Sequence, residues 1–590
     1  MRPHVTRPGR SRRLLARFAP AAVGLLLGVL ALGPALGPGF ALRYDMVFVP
    51  DPPLVLGSGG SGGFPRAVPS DQVVALLSLA LPADVVQKAL LLGVFVLAAS
   101  GAAALSPGDR TAARLAAAAF YAWNAYLAQR LLLGQWALLL GFAGLPWAVR
   151  AAARLGARSG VARLREVAGD TARLREVAGD TARLAVALVP AAVGGFQAML
   201  VSALVVLPVA ALGRGLTPAA DGHQVATLLR HLGRRDLSER ARAVLVSVVV
   251  VGVLSLPWLV PALLSRAVTD PAGVDAFAAR ADGPFGTLGS LLSLGGVWNA
   301  EADVPGQGSW SVAAVRLVLS VVALAGFVGF ARVAVAGERR FALAGLVRLA
   351  GTGWGRNAGA GRYVPGLAVA AVAGLGVACL GAFAPGVLKG LIGWWPGFGP
   401  FRDGQLFIAP LVLCQAMGFA YVADRLGRMG FAAAAVPVLV LPTFALGAFG
   451  RLAAVDYPDE WRRVQALVNA DPAPGALVSL PWGAHRAFAW NGGRVILDPA
   501  TKMFARPVLW DDTLVVERRA GGAIRVAAEA PRARRIGALI RDGHGPLTAA
   551  FLREDVKFVL IAQKNENEFS SRFPGARPIL SAGELLLLRL

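Results

Sequence analysis

Charge is scarce in this chain. Of its 590 residues only 16% are Asp, Glu, Lys or Arg, while 56% are hydrophobic. No soluble globular chain of this length needs so much apolar surface, and apolar runs of about 20 residues recur along it. A polytopic membrane protein is implied. Acids are scarcer still, 35 against 59 bases, which leaves a formal charge of +24. Such an excess would suit nucleic acid, but the arginines cluster beside the apolar runs, as in the positive-inside arrangement of membrane loops. Nucleic acid is therefore excluded as a partner.

Cysteine is almost missing. Cys379 and Cys414 both fall inside apolar runs, which argues against a disulfide framework or a thiolate metal site and leaves two small core residues. The five histidines, His4, His223, His231, His485 and His544, all lie outside those runs, so no histidine relay crosses the membrane. There is no Walker loop and no His-Glu-x-x-His motif. No run carries a clear buried acid, which weakens an ion-coupled transporter.

What is present begins with Arg2, Arg7, Arg10, Arg12, Arg13 and Arg17, with no acid among them, followed by an apolar segment from Pro20 to Leu42. Its length and the poor cleavage site at Gly37-Pro38-Gly39 read as an uncleaved anchor. Apolar runs predict about eleven spans, near 19–41, 85–105, 112–129, 131–149, 184–197, 198–213, 243–264, 312–335, 366–388, 406–424 and 431–450. With the N-terminus inside, the connections at 150–183, 214–242, 332–362 and 425–428 carry the arginines and are cytoplasmic. Those at 43–84, 265–311 and 389–405 are poor in arginine and lie outside. Residues 213–242 read as a cytoplasmic loop with one short amphipathic helix over 225–232. Ala162–Asp170 recurs unchanged at 172–180, a tandem duplication rather than a solenoid.

From residue 451 the composition turns soluble. A helix is expected over 459–470, strands over 476–480, 494–497 and 556–561, and a last strand over 584–590. The predicted fold is thus mainly α, a polytopic helical bundle with a small C-terminal α/β domain. Its division is a basic N-terminus over 1–18, a transmembrane domain over 19–450 and an extracytoplasmic domain over 451–590.

Four outer clusters carry candidate chemistry. Arg43-Tyr44-Asp45 and Asp51 follow the first span, before an amphipathic piece over 70–81, and place carboxylates at the membrane surface. The hairpin of Asn124, Gln129, Arg130, Gly134, Gln135 and Trp136 is polar near membrane depth, which is costly unless it faces a cavity or partners. A guanidinium at Arg130 has the donor fork to hold a phosphate. The loop around Trp298, Asn299 and Glu301 mixes aromatic faces, which stack on sugar rings, with acids that bind hydroxyls. Finally, Trp394-Trp395 precedes Phe401-Arg402-Asp403-Gly-Gln405 at the mouth of a span. In the C-terminal part, Trp482, His485-Arg486, Trp490-Asn491 and Arg494 offer aromatic and polar groups suited to carbohydrate, but a lone His beside Arg on a strand edge reads as structural.

These elements together resemble the GT-C superfamily of polytopic glycosyltransferases, above all the bacterial arabinofuranosyl- and mannosyltransferase-like members that use polyprenyl-phosphate sugars to build cell-envelope polysaccharide. The resemblance covers most of residues 1–450. It implies inverting transfer of arabinofuranose or mannose to an envelope glycan or glycolipid, with membrane lipids around the donor tail. Asp45, with Asp51 second, is the implied catalytic base. Arg43, Arg130 and Arg402 would hold the donor phosphate, and Asn124, Gln135, Trp298, Asn299, Trp395 and Asp403 would line the substrate. The first loop has spaced aspartates rather than an adjacent acidic pair, which leaves a divalent cation, Mg or Mn, open. The competing class is a non-catalytic scaffold or a carrier of lipid-linked sugar, needing the same groove but no base at position 45.

Overall fold

The computed structural model describes residues 10–55, 63–108, 110–157, 170–213, 225–344, 361–517, 522–542, 545–562 and 571–590. Among them are eight helices long and apolar enough to cross a membrane: Arg17–Leu36, Ala83–Leu105, Trp136–Leu155, Arg175–Gly194, Arg240–Leu264, Trp310–Ala334, Gly361–Phe383 and Gly404–Arg425. The chain is a multi-pass membrane protein, mainly helical, with its small sheets concentrated in the C-terminal region.

Two of the eleven expected spans take another form. The segment 112–129 is broken where Trp123 and Asn124 become extended, so Thr111–Ala122 and Ala125–Leu132 are separate short helices. The expected segment 198–213 is present as Phe196–Leu212, a short helix of 17 residues that starts after Gly195 turns the backbone to φ +77°. The segment 431–450 is cut into short turns at Pro437 and Pro442 and ends in left-handed backbone over Leu446–Phe449. The expected amphipathic stretch over 225–232 is not a separate helix, because Val225–Leu264 is continuous. Of the tandem duplication, the second copy lies in the helix Asp170–Gly194, while residues 162–169 fall outside the described residues.

The C-terminal region forms a five-stranded sheet in the order Arg577–Ala582, Leu585–Arg589, Val556–Ala562, Ala476–Leu480, Val508–Leu509. The last three strands are parallel to one another, and the first two join antiparallel. Side chains alternate across it with period two. Ala476, Val478, Ile561 and Leu588 pack under Ile536 and Phe551 of the covering helices. Leu477, Phe558, Leu560 and Leu587 face the other way and join one apolar core with Phe40, Phe48 and the helical bundle. The region thus has one core of its own and shares the other face of its sheet with the bundle. Phe40–Ala41 pairs antiparallel with Ala454–Val455, and Tyr457 donates its hydroxyl to the Phe48 carbonyl at 2.9 Å. The start of the loop after the first span is sewn to the C-terminal region at Phe40–Ala41, Tyr44 and Phe48.

Candidate functional site

The first loop turns tightly at residues 43–46. The Met46 amide donates to the Arg43 carbonyl at 2.9 Å, and the Asp45 amide to the Leu133 carbonyl at 3.2 Å. Gly134 lets this turn lie flat on the neighbouring hairpin. It adopts φ +78°, and a Cβ there would overlap the Met46 nitrogen and the Arg43 carbonyl oxygen. Gly134→Ala is thus expected to displace the turn and cost about 2 kcal/mol or more, read as a lower melting temperature in detergent. A melt unchanged from the parent would refute this.

Tyr44 is itself left-handed, at φ +44°. Its amide donates to the Val495 carbonyl and its carbonyl accepts from the Leu497 amide, both at 2.8 Å. That strand, Val495–Leu497, pairs with His485–Ala487. The result brings His485 Nε2 to 3.3 Å from an Asp45 carboxylate oxygen, across 440 residues of sequence.

Beneath the turn runs a buried polar network. Arg130 is fully buried and forks onto Asp403, Nη1 at 2.7 Å and Nη2 at 2.9 Å. Its Nε donates to Gln405 at 2.8 Å and its Nη1 also to Gln135 at 2.7 Å, while Nη2 reaches Gln405 as well. Asp282 accepts from Gln129, Gln307, the Gly296 amide and Arg316. Burial alone would raise the Asp282 carboxyl, but Arg316, the Gly296 amide and Ser290 outweigh it and hold it below its ordinary value. Arg130, Gln135, Asp403 and Gln405 are thus bonded to one another inside the protein.

Above the network opens a cavity of about 1890 Å³. Asp45 and His485 lie on its wall with Arg66, Arg402 and Glu529. Glu529 comes from the C-terminal region and accepts from Arg66 at 2.6 Å and Arg402 at 2.5 Å. Burial would raise its carboxyl, but the two guanidiniums prevail and pull it down to about 2. Arg402 stacks over the Phe277 ring at 5.2 Å, and Phe277 meets Trp298 edge-on at 5.0 Å. Among the described residues, buried Nη1 of Arg402 and Nε1 of Trp298 have no hydrogen-bond partner. Phe196, Leu200, Trp258, Leu259 and Leu263 give part of the wall an apolar lining, and Leu263 is also largely exposed on the helix surface.

This architecture has a solved counterpart. The chain is similar in fold to the mycobacterial arabinofuranosyltransferase AftD. A cryo-EM structure of a mutant AftD superposes with a TM-score of 0.50 at 15% identity, covering 99% of this chain and 42% of that one. The AftD structure without that mutation gives 0.49 at 14% identity, covering 99% and 40%. The chain thus spans about two fifths of the length of AftD. No protein-family model matches the sequence, and no curated protein does.

Within this AftD-like fold, seven of the residues singled out in the sequence come together on the cavity: Asp45, Gln135, Trp298, Asn299, Trp395, Arg402 and Asp403. Four do not. Asn124 caps the helix Ala125–Leu132, accepting from the Leu127 amide at 3.0 Å and donating to the Phe120 and Tyr121 carbonyls. The Arg130 donors are taken inside the protein, so none is left for a phosphate. Arg43 clamps the loop, donating to the Leu132 and Glu301 carbonyls at 3.1 and 2.8 Å. Asp51 is exposed, away from the cavity, and its carbonyl accepts from Gln465.

Three residues of the site, His485, Arg66 and Glu529, escape sequence reasoning. His485 stands out in sequence only as a histidine near a strand, and nothing local links it to Asp45. Arg66 and Glu529 are ordinary charges until folding brings them to Arg402. Among the described residues no three His, Cys, Asp or Glu side chains converge to hold a metal ion. Asp45 with His485 is too small a set for a cation held by protein alone.

Because the Glu529 carboxyl is depressed, its ion pairs stabilise the fold above the ordinary glutamate range. That contribution is lost as pH falls from about 4.5 towards 2 and is worth on the order of 3 kcal/mol. Glu529→Gln should lower the melting temperature at pH 7 but scarcely at pH 2.5. An equal loss at both would disprove the assignment.

Proposed function

We propose that the chain is a membrane glycosyltransferase. It moves arabinofuranose or mannose from a polyprenyl phosphate to an envelope glycan or glycolipid at the outer face of the cytoplasmic membrane. In this reading residues 1–18 lie in the cytoplasm, 19–450 form the transmembrane domain and 451–590 stand outside. The observation that carries it is the cavity. A half-exposed carboxylate at Asp45, two arginines at Arg66 and Arg402, and an apolar wall reaching the lipid-facing helix at Leu263 share one space. The volume exceeds the roughly 300–1,000 Å³ of a small-molecule site, in keeping with two substrates and part of a lipid tail. The name of AftD, an arabinofuranosyltransferase, agrees with it.

The donor carries its own leaving group, so the protein has three tasks. The tail enters along the apolar wall. The phosphate lies against Arg402, whose buried Nη1 has a donor to spare, and against half-exposed Arg66. Asp45 takes the proton of the acceptor hydroxyl as its oxygen bonds to the anomeric carbon from the face opposite the phosphate. The bond from that carbon to the phosphate oxygen breaks, and its electron pair leaves with the phosphate, stabilised by the arginines. Trp298 and Phe277 offer faces for the sugar ring.

Purified protein in lipid, offered radiolabelled polyprenyl-phosphate arabinose and mannose with short glycan acceptors, tests the reading. Both arms are run with and without Mg or Mn. A radiolabelled glycan product is the expected result. Bound donor with no product under any condition would overturn it in favour of a carrier or scaffold.

A further inference from the structure

The geometry points to His485 as a positioning residue for Asp45, holding one carboxylate oxygen so that the other faces the acceptor hydroxyl. The inference rests on the reading of Asp45 as the base. His485 Nε2 lies 3.3 Å from Asp45 Oδ1, and among the described residues it is the side chain found bonded to that carboxylate. Both groups face the cavity.

The contact is set by backbone, not by two wandering side chains. Tyr44 is locked to Val495 and Leu497 by paired hydrogen bonds, and His485 sits opposite Leu497 in the same small sheet. The next residue, Arg486, is buried, pairs with Asp498 at 2.9 Å and donates to the Leu480 and Pro481 carbonyls. Asp498 in turn is fully buried. This frame fixes where the imidazole stands, and the Tyr44 ring meets it edge-on at 6.0 Å.

Stability does not explain the pair. The Asp45 side chain is 52% exposed and that of His485 28%, and a contact so open to water adds little to folding. Docking of the C-terminal region is secured by Tyr44 backbone bonds and by Phe40–Ala41 on Ala454–Val455. Tyr44, in left-handed backbone, makes those bonds and sets the carboxylate beside the imidazole. An N–H donated to Oδ1 orients the group that must receive a proton at Oδ2. In the transfer step the acceptor proton goes to Oδ2 while the imidazole keeps its own.

Steady-state kinetics in lipid test this with His485→Ala, His485→Phe and His485→Gln. The phenylalanine keeps a ring against Tyr44 but cannot donate, whereas the glutamine amide can. Alanine and phenylalanine should each lower kcat about 10- to 100-fold, the value of one hydrogen bond to a charged group, with donor KM unchanged. Glutamine should recover most of the loss, and alanine in the Asp45→Asn background should add nothing further. Parental kcat in His485→Ala, no rescue by glutamine, or a full further loss in the Asp45→Asn background would each overturn the inference alone. Absence of transfer by the unmodified protein would instead overturn the reading of the enzyme, and this inference with it.

Discussion

Asp45→Asn is expected to lower transfer about 10²–10⁴-fold, the usual worth of a general base, while expression and donor binding persist. The amide has the shape of the carboxylate and can still meet His485, but it cannot take a proton. Nothing in the fold depends on the charge. The turn at 43–46 is closed by main-chain bonds, seated on Gly134 and held at Tyr44 by the strand Val495–Leu497. In the proposed reading donor affinity is lodged elsewhere, at Arg66, Arg402 and the apolar wall. The decisive measurement is kcat beside donor binding for the same preparation. A parental rate in Asp45→Asn would remove Asp45 from the chemistry. Lost binding would show that the carboxylate supports the donor instead.

The second large effect concerns stability. Arg130→Met should cost about 3–5 kcal/mol, because it leaves the Asp403 carboxylate and the Gln405 and Gln135 carbonyl oxygens without the donors that neutralise them. Desolvating a charge is costly, and breaking one side of a buried pair leaves that cost uncompensated. Removing both partners together, in Arg130→Met with Asp403→Leu, should restore part of the loss. Thermal denaturation of the single and double variants in detergent gives the coupling directly. If Arg130→Met melted like the parent but lost donor affinity, Arg130 would be a phosphate ligand after all. Its present partners would then be incidental.

Much of the membrane domain is legible in the amino-acid sequence. Eight expected spans coincide with helices long and apolar enough to cross, because lipid offers no water to the backbone and each span must announce itself as a continuous apolar run. In the C-terminal region the helix Asp459–Ala470 and the strands Ala476–Leu480 and Val556–Ala562 stand where alternation and length place them. The misreadings share a cause. At 112–129 an Asn side chain accepts from the Leu127 amide and starts a new helix, so hydropathy stays high while the helix stops. At 431–450 two prolines do the same.

The candidate site is half legible. Asp45 and Arg402 are conspicuous as polar residues at the ends of apolar runs. Arg130 is equally conspicuous, yet its role depends on which donors remain free, and sequence cannot count hydrogen bonds. Glu529 is invisible and His485 shows only as a structural histidine, since each meets its partner through strand pairing and packing across more than a hundred residues.

Composition and local pattern alone established a multi-pass helical bundle with a small α/β region, because hydropathy acts residue by residue on segments a few turns long. Which charges neutralise one another and which stay open to a ligand was decided by tertiary structure. Those assignments depend on contacts of a few ångströms between segments that local pattern never brings together.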